Sequence, residues 1–154
     1  MSAFPRGKVA LMTDPGPALN LVTLVVNNME ASVAFYRRLG VTVPDADPAW
    51  ADVHRGGSSG QMGLDFDSRS FASKWNAGAR PEDTAILGFQ VPTREDVDKT
   101  YNDLVAGGGV GQQEPYDAFW GARYAVVQDP DGNAVGLMSP IDPEQRSAPP
   151  DPNS

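Results

Sequence analysis

Few side chains in this sequence could do covalent or metal chemistry. The chain of 154 residues contains no cysteine, which excludes disulfides, thiolate nucleophiles and cysteine-based metal sites. It contains one histidine, His54, and a lone histidine is more often a surface or packing residue than a metal ligand. We therefore interpret His54 as structural, which leaves the aromatic side chains as candidates for ligand contact.

Two tryptophans stand where a ring could stack on a ligand. Trp120 and Trp75 lie in polar, glycine-containing surroundings, outside the strongly periodic segments. Aromatic side chains in loops are suited to stacking, whereas those on a helix face usually pack in the core. Phe35, Tyr36 and Tyr101 lie on predicted helix faces and are interpreted as core or surface residues.

The first half of the chain predicts a strand, a helix and three short strands. "LNLVTLVV", residues 19–26, is an apolar run rich in β-branched residues, typical of a buried strand. Asn28 is placed to cap the helix that follows, and Gly40 to end it. A short strand near residues 41–43 is followed by "WADVHR" and "QMGLDFD", which "GGSSG" joins as a hairpin.

The second half repeats this pattern. "TAILGFQV", residues 84–91, predicts a strand, and Thr93 caps the next helix. A tyrosine follows each cap by eight residues, Tyr36 in the first half and Tyr101 in the second. "DPDGN", residues 129–133, predicts a tight turn that sets the last two strands antiparallel.

Each half therefore reads β-α-β-β-β, and the predicted fold class is α+β. A unit this small cannot bury both faces of its sheet alone, so the two tandem βαβββ modules must pack together as a curved mixed sheet around a concave cleft. The predicted divisions are an N-terminal arm at 1–18, a first module at 19–67, a linker at 68–83, a second module at 84–140 and a disordered, proline-rich tail at 141–154.

Composition narrows the classes of partner. No apolar run approaches the ~20 residues of a membrane span, and the N-terminus lacks the apolar core of a secretory signal, so we expect a cytoplasmic protein without membrane contact. The net charge of −8 argues against nucleic acid, whose phosphates require Lys and Arg. It favours a neutral or cationic small molecule.

Three segments of the sequence resemble one known superfamily. "LVTLVVNNMEASVAFYRRLGV", the second β-α unit and "WGARYAVVQDPDGNAVGLMSP" resemble the vicinal oxygen chelate superfamily. That superfamily includes glyoxalase I, extradiol dioxygenases, fosfomycin resistance enzymes and bleomycin resistance proteins. The resemblance spans about residues 19–140 and implies the fold described above. It does not decide function, because the same scaffold hosts both catalysis and sequestration.

The metal-ligand positions of the superfamily can be compared with this sequence. Its enzymes typically hold a divalent metal through a His on the first strand of each half and a Glu or His on the fourth strand. The resemblance aligns Leu21 and Ile86 with the histidines and Gly136 with the glutamate. Asp65 is a candidate for the remaining acidic position, with its strand register open. Leucine, isoleucine and glycine side chains donate no electron pairs, so we expect no metal, no cofactor and no catalytic residue.

The closer resemblance is to drug-binding members of the superfamily. "SVAFYRRLGV", the linker residues Arg69, Ser70, Phe71 and Trp75, and "WGARYAVVQDPDGNAV" are similar to mitomycin-binding and thiocoraline-type resistance proteins. The resemblance implies a metal-independent protein that sequesters a planar or aromatic, antibiotic-like ligand in an aromatic-lined cleft, and a homodimer. The alternative is a metalloenzyme, a lyase, epimerase or dioxygenase, whose metal site is displaced.

The candidate ligand-binding residues follow from that resemblance. Trp120 would form one stacking wall, with Trp50 or Trp75 opposite. The methionines would supply adaptable packing, and Arg123 and Asp65 polar contacts. The full set is Trp120, Trp50, Trp75, Phe66, Tyr116, Phe119, Met62, Met138, Arg123 and Asp65.

Overall fold

The fold is built on one curved, eight-stranded mixed sheet, seen in a computed structural model that describes residues 16–152. Most of the predicted N-terminal arm, residues 1–15, and the last two residues, 153–154, lie outside the described residues. The elements in chain order are β1 (Ala18–Val26), α1 (Met29–Arg38), β2 (His54–Arg55), β3 (Ser58–Ser59), β4 (Met62–Ser68), α2 (Arg69–Trp75), β5 (Ala85–Gln90), α3 (Arg94–Ala106), β6 (Val110–Asp117), β7 (Arg123–Gln128), β8 (Ala134–Met138) and a 3-10 turn (Pro143–Gln145).

The two modules meet where their first strands pair. The strand order is β2-β4-β1-β5-β8-β7-β6, with β3 beside β4. β1 and β5 pair antiparallel, with Val22 opposite Leu87, while β4 runs parallel to β1 and β8 parallel to β5. In each module, the first strand therefore pairs parallel with the last strand of its own module and antiparallel with the first strand of the other. The predicted α+β fold class is confirmed.

Alternation along the strands sorts side chains between the two faces of the sheet. On the outer face, Phe66 of β4 packs with Met29 and Val33 of α1. In the second module, Val97 and Tyr101 of α3 pack on the same face. The inner, concave face carries a separate core, to which α2 contributes. Because α1 and α3 both cover the outer face, the inner face between the modules stays open for a ligand.

The predicted helix caps are present. The Asn28 side chain accepts a hydrogen bond from the Ala31 N–H at 3.0 Å, and the Thr93 hydroxyl oxygen accepts one from the Asp96 N–H at 3.1 Å. Each cap satisfies a donor that the first helical turn would otherwise leave free. Within residues 16–152, no helix is long and apolar enough to cross a bilayer.

The predicted linker, residues 68–83, contains a helix. Ser68 caps α2 by accepting from the Phe71 N–H at 3.2 Å, and Phe71, Ala72 and Trp75 are buried on the inner face. These apolar residues at i, i+1 and i+4 form a helical face too short for the periodicity to predict. The predicted strand at 50–55 shortens to β2 because its first residues form a turn, closed by the His54 N–H on the Trp50 carbonyl at 3.0 Å.

Candidate ligand-binding cavity

The open inner face encloses a cavity of about 540 Å³. This volume lies within the range of small-molecule sites, about 300–1,000 Å³. Strands of both modules, α2, two loops and the C-terminal segment all contribute to its walls. The lining residues are Leu21, Thr23, Trp50, His54, Asp65, Asp67, Phe71, Trp75, Phe119, Trp120, Tyr124, Met138, Ile141 and Pro149.

Six of the ten candidate residues line this cavity. They are Trp50, Asp65, Trp75, Phe119, Trp120 and Met138. All three tryptophans of the chain are therefore in the cavity wall. This placement is the one that ligand contact requires, and the contact itself stays a prediction.

Phe66 and Met62 do not line the cavity, and both are displaced for the same reason. They alternate with Asp65 along β4, so their side chains leave the sheet on the outer face. Phe66 is fully buried against α1, and Met62 is half-buried at the beginning of the strand. A shift of one residue in the register of β4 would exchange the side chains that face inward and outward, and the sequence alone does not determine this register.

Arg123 and Tyr116 also lie outside the cavity. Arg123 is bonded to Asp98 of α3 at 2.9 Å and to Asp117 at 3.3 Å, so the expected ligand contact is corrected to an ion-pair network between α3 and the sheet. Tyr116 stands behind the wall, where its hydroxyl donates to the Trp75 carbonyl at 3.0 Å. Burial raises the pKa of Tyr116 to about 12, so it remains a donor at neutral pH.

Trp75 and Phe71 form the wall that α2 contributes. The Trp75 indole N–H donates to Asp67 Oδ2 at 2.8 Å, which fixes the ring. Its ring meets that of Tyr124 edge to face at 5.7 Å, and Phe71 meets Trp50 in the same way at 5.6 Å. Contacts of Phe119 with Phe71 and with Trp120 connect these two pairs into one continuous aromatic surface, since Trp120 also contacts Tyr124.

Trp120 is held by the loop between β6 and β7. Its indole N–H donates to the Met138 sulfur at 3.2 Å, and its ring packs on Tyr124 with 5.3 Å between centroids. The next residue, Gly121, has φ +96°, and a side chain there would strike the Asp142 carbonyl. Glycine is therefore required both by the turn and by the close approach of the C-terminal segment.

The described part of the C-terminal segment, residues 141–152, which the sequence predicts as a disordered tail, contacts the loop between β6 and β7. The Ser147 N–H donates to the Phe119 carbonyl at 3.0 Å, and the Asp142 N–H to the Gly121 carbonyl at 2.9 Å. Ile141 and Pro149 thereby join the cavity lining. The segment has almost no secondary structure of its own, so no periodic pattern marks these contacts.

A polar group on the wall was not predicted. His54 Nδ1 lies 2.5 Å from Asp67 Oδ1, and Asp67 is only 4% exposed. Burial acts to lower the pKa of His54, but its hydrogen bond to Asp67 and the charges of Asp67 and Asp65 raise the pKa overall. The alternation of side chains along β4 is a sequence signal that puts Asp65 and Asp67 on the same face. The position of His54 beside them depends on the pairing of β2 with β4, which the sequence does not reveal.

The positions that hold metal in the superfamily do not fit a metal here. The pairing of β4 with β1 and of β8 with β5 makes Asp65 the counterpart of Gly136. Any side chain at 136 would begin 2.6 Å from the Tyr124 hydroxyl, so the tyrosine occupies the space where a carboxylate would enter. With Leu21 and Ile86 at the other two positions, only Asp65 offers a donor. Within the described residues, no group of three His, Asp or Glu is arranged to hold a metal ion.

Comparison with known proteins identifies the family. The Glyoxalase/Bleomycin resistance protein/Dioxygenase superfamily matches residues 18–137. The chain therefore belongs to this superfamily, the one whose fold the two modules display. It is 30% identical over 127 residues to the uncharacterized protein YraH of Bacillus subtilis. The alignment covers 75% of this chain and 93% of YraH.

Solved structures show the same fold at low identity. A superfamily member from Vibrio splendidus matches with a TM-score of 0.55 and 14% identity, covering 80% of this chain and 99% of that one. A hypothetical protein from Bacillus halodurans matches with a TM-score of 0.58 and 11% identity, covering 83% of this chain and 97% of that one. At these identities the likeness concerns the fold alone.

Proposed function

We propose that this protein binds a planar aromatic small molecule in the inner cavity and sequesters it without a metal. The observation that carries the proposal is the composition of the wall. Six aromatic side chains from α2, β7 and two loops surround one cavity of ligand size: Trp50, Phe71, Trp75, Phe119, Trp120 and Tyr124. Rings assembled in this way supply a large contact area at little cost in conformational entropy.

The metal-ligand positions support binding rather than metal catalysis. Leu21 lines the cavity where the superfamily has a histidine, and Tyr124 fills the room beside Gly136. Both changes make the site more apolar, which favours an aromatic ligand over a metal-bound oxygen. The sequence resemblance to drug-binding members of the superfamily points the same way and suggests an antibiotic-like ligand.

Substitution of Trp120 tests this proposal. We expect Trp120→Ala to weaken the binding of planar aromatic drugs by about tenfold to a hundredfold, since one stacking contact is worth about 1–3 kcal/mol. Trp120→Phe should retain most of the affinity. Since all three tryptophans line the cavity, quenching of intrinsic fluorescence reports binding by the unsubstituted protein, and isothermal titration measures the variants.

Phe35→Ala is the control, because this aromatic residue on α1 is 60% exposed and lies on the outer face of the sheet. Its affinity should equal that of the unsubstituted protein. The proposal is contradicted if no planar aromatic compound quenches the fluorescence at micromolar concentration, or if Trp120→Ala binds as tightly as the control.

A further inference from the structure

The polar part of the cavity lining carries an excess of negative charge. Its polar lining residues are Thr23 of β1, His54 of β2, Asp65 and Asp67 of β4, and Tyr124 of β7. Within the described chain, no Lys or Arg side chain lines the cavity. The lining therefore contains two carboxylates and a single imidazole.

The two carboxylates differ in the hydrogen bonds that they accept. Asp67 uses one oxygen for His54 and the other for the Trp75 indole. Asp65 accepts only a long hydrogen bond from the Gly57 N–H, 3.4 Å, and forms no ion pair within residues 16–152. Burial, and after it the charge of Asp67, raises the pKa of Asp65 against the opposing effect of His54, as expected for a carboxylate short of a positive partner.

Tyr124 offers a second unused polar group at the same cavity. Its side chain is 8% exposed, yet its hydroxyl makes no hydrogen bond within the described residues. A hydroxyl on a cavity wall that has no partner in the described part of the protein is available to a group supplied by a ligand. A hydroxyl can accept from an N–H donor, as a carboxylate does.

We propose that the ligand carries a positively charged nitrogen, a protonated amine or an amidinium, which pairs with Asp65 on the cavity wall. Its N–H groups also donate to the Tyr124 hydroxyl, and the surrounding rings attract the cation through their faces. This inference rests on the proposed binding of a planar aromatic body and adds its charge. The net charge of −8 favours the approach of such a ligand.

Two probes with the same ring system test the charge separately from the ring. At pH 7.5, 9-aminoacridine is a cation, whereas acridine is neutral. We expect the unsubstituted protein to bind 9-aminoacridine at least about tenfold more tightly than acridine, since hydrogen bonds to a charged group are the stronger ones. Both affinities are measured by isothermal titration in the same buffer.

Asp65→Asn removes the charge and keeps an oxygen that can accept from Gly57. We expect the ratio of the two affinities to fall to about one in this variant, with the melting temperature measured in parallel to show that it is folded. Asp52→Asn is the matched control, because Asp52 is exposed and outside the cavity lining, so it should keep the tenfold ratio.

The outcomes separate this inference from the proposed function. Binding of acridine with no preference for 9-aminoacridine, or a preference that survives Asp65→Asn, overturns the charge assignment and leaves the aromatic binding function standing. If neither probe binds, both proposals fail.

Discussion

Replacing Phe66 with alanine is expected to lower the free energy of unfolding by about 3–5 kcal/mol. Phe66 is fully buried between β4 and α1, where its ring lies 5.4 Å from that of Tyr36. Truncation removes apolar contact and leaves a cavity that the sheet backbone cannot close. Chemical denaturation monitored by circular dichroism measures the loss.

Phe35→Ala is the comparison for stability, since it removes the same side chain from an exposed position of α1. Its effect should stay within about 0.5 kcal/mol. The milder Phe66→Leu variant tests the placement on the outer face, because it should unfold more easily yet bind an aromatic probe with unchanged affinity. A clear loss of affinity in the folded Phe66→Leu variant would return this residue to the ligand site.

Replacing Asp67 with asparagine should cost about 2–3 kcal/mol of stability, the value of a buried hydrogen bond to a charged group. The single amide oxygen can serve only one of the two donors, Trp75 or His54, which Asp67 satisfies with two oxygens. The amide nitrogen then faces the other group, and it can donate to His54 only if the imidazole carries its proton on the other ring nitrogen. Thermal and denaturant unfolding should show the loss in this variant and almost none in exposed Asp52→Asn.

The same substitution should lower the pKa of His54. In the folded protein this pKa is raised above 6.5, because the hydrogen bond and charge of Asp67 outweigh burial. Protonation therefore stabilises the folded state: the contribution is complete below about pH 6.5 and is lost as the pH rises through the folded pKa. His54 is the only histidine, so one NMR signal reports its titration. An unchanged pKa in Asp67→Asn would refute the role given to this carboxylate.

Most of the fold could be predicted from local signals in the sequence. Caps at Asn28 and Thr93 and the turn at 129–133 each place a boundary where the structure has one. Such features depend on residues within a few positions of one another, so they can be read without knowledge of the tertiary structure. The repeat of the pattern across the two halves then predicts that the two modules pack together.

The site was harder to predict because it depends on register and on long-range contact. The assignment of Phe66 to the cleft was wrong by a single position along β4, since Asp65 beside it faces inward. The sequence favours a structural role for His54, whereas its pairing with Asp67 across β2 and β4 places it on the cavity wall. Ile141 reaches the cavity through a segment that no periodic pattern describes.

The packing of Tyr124 beside Gly136 constrains which substitutions this protein can accept. A carboxylate at position 136 would collide with the tyrosine hydroxyl, and a smaller residue at 124 alone would open a void in the buried inner core. Each single substitution is therefore unfavourable in the background of the other native residue. A metal site at these positions would need both changes together with new ligands at 21 and 86, so no single substitution can create one.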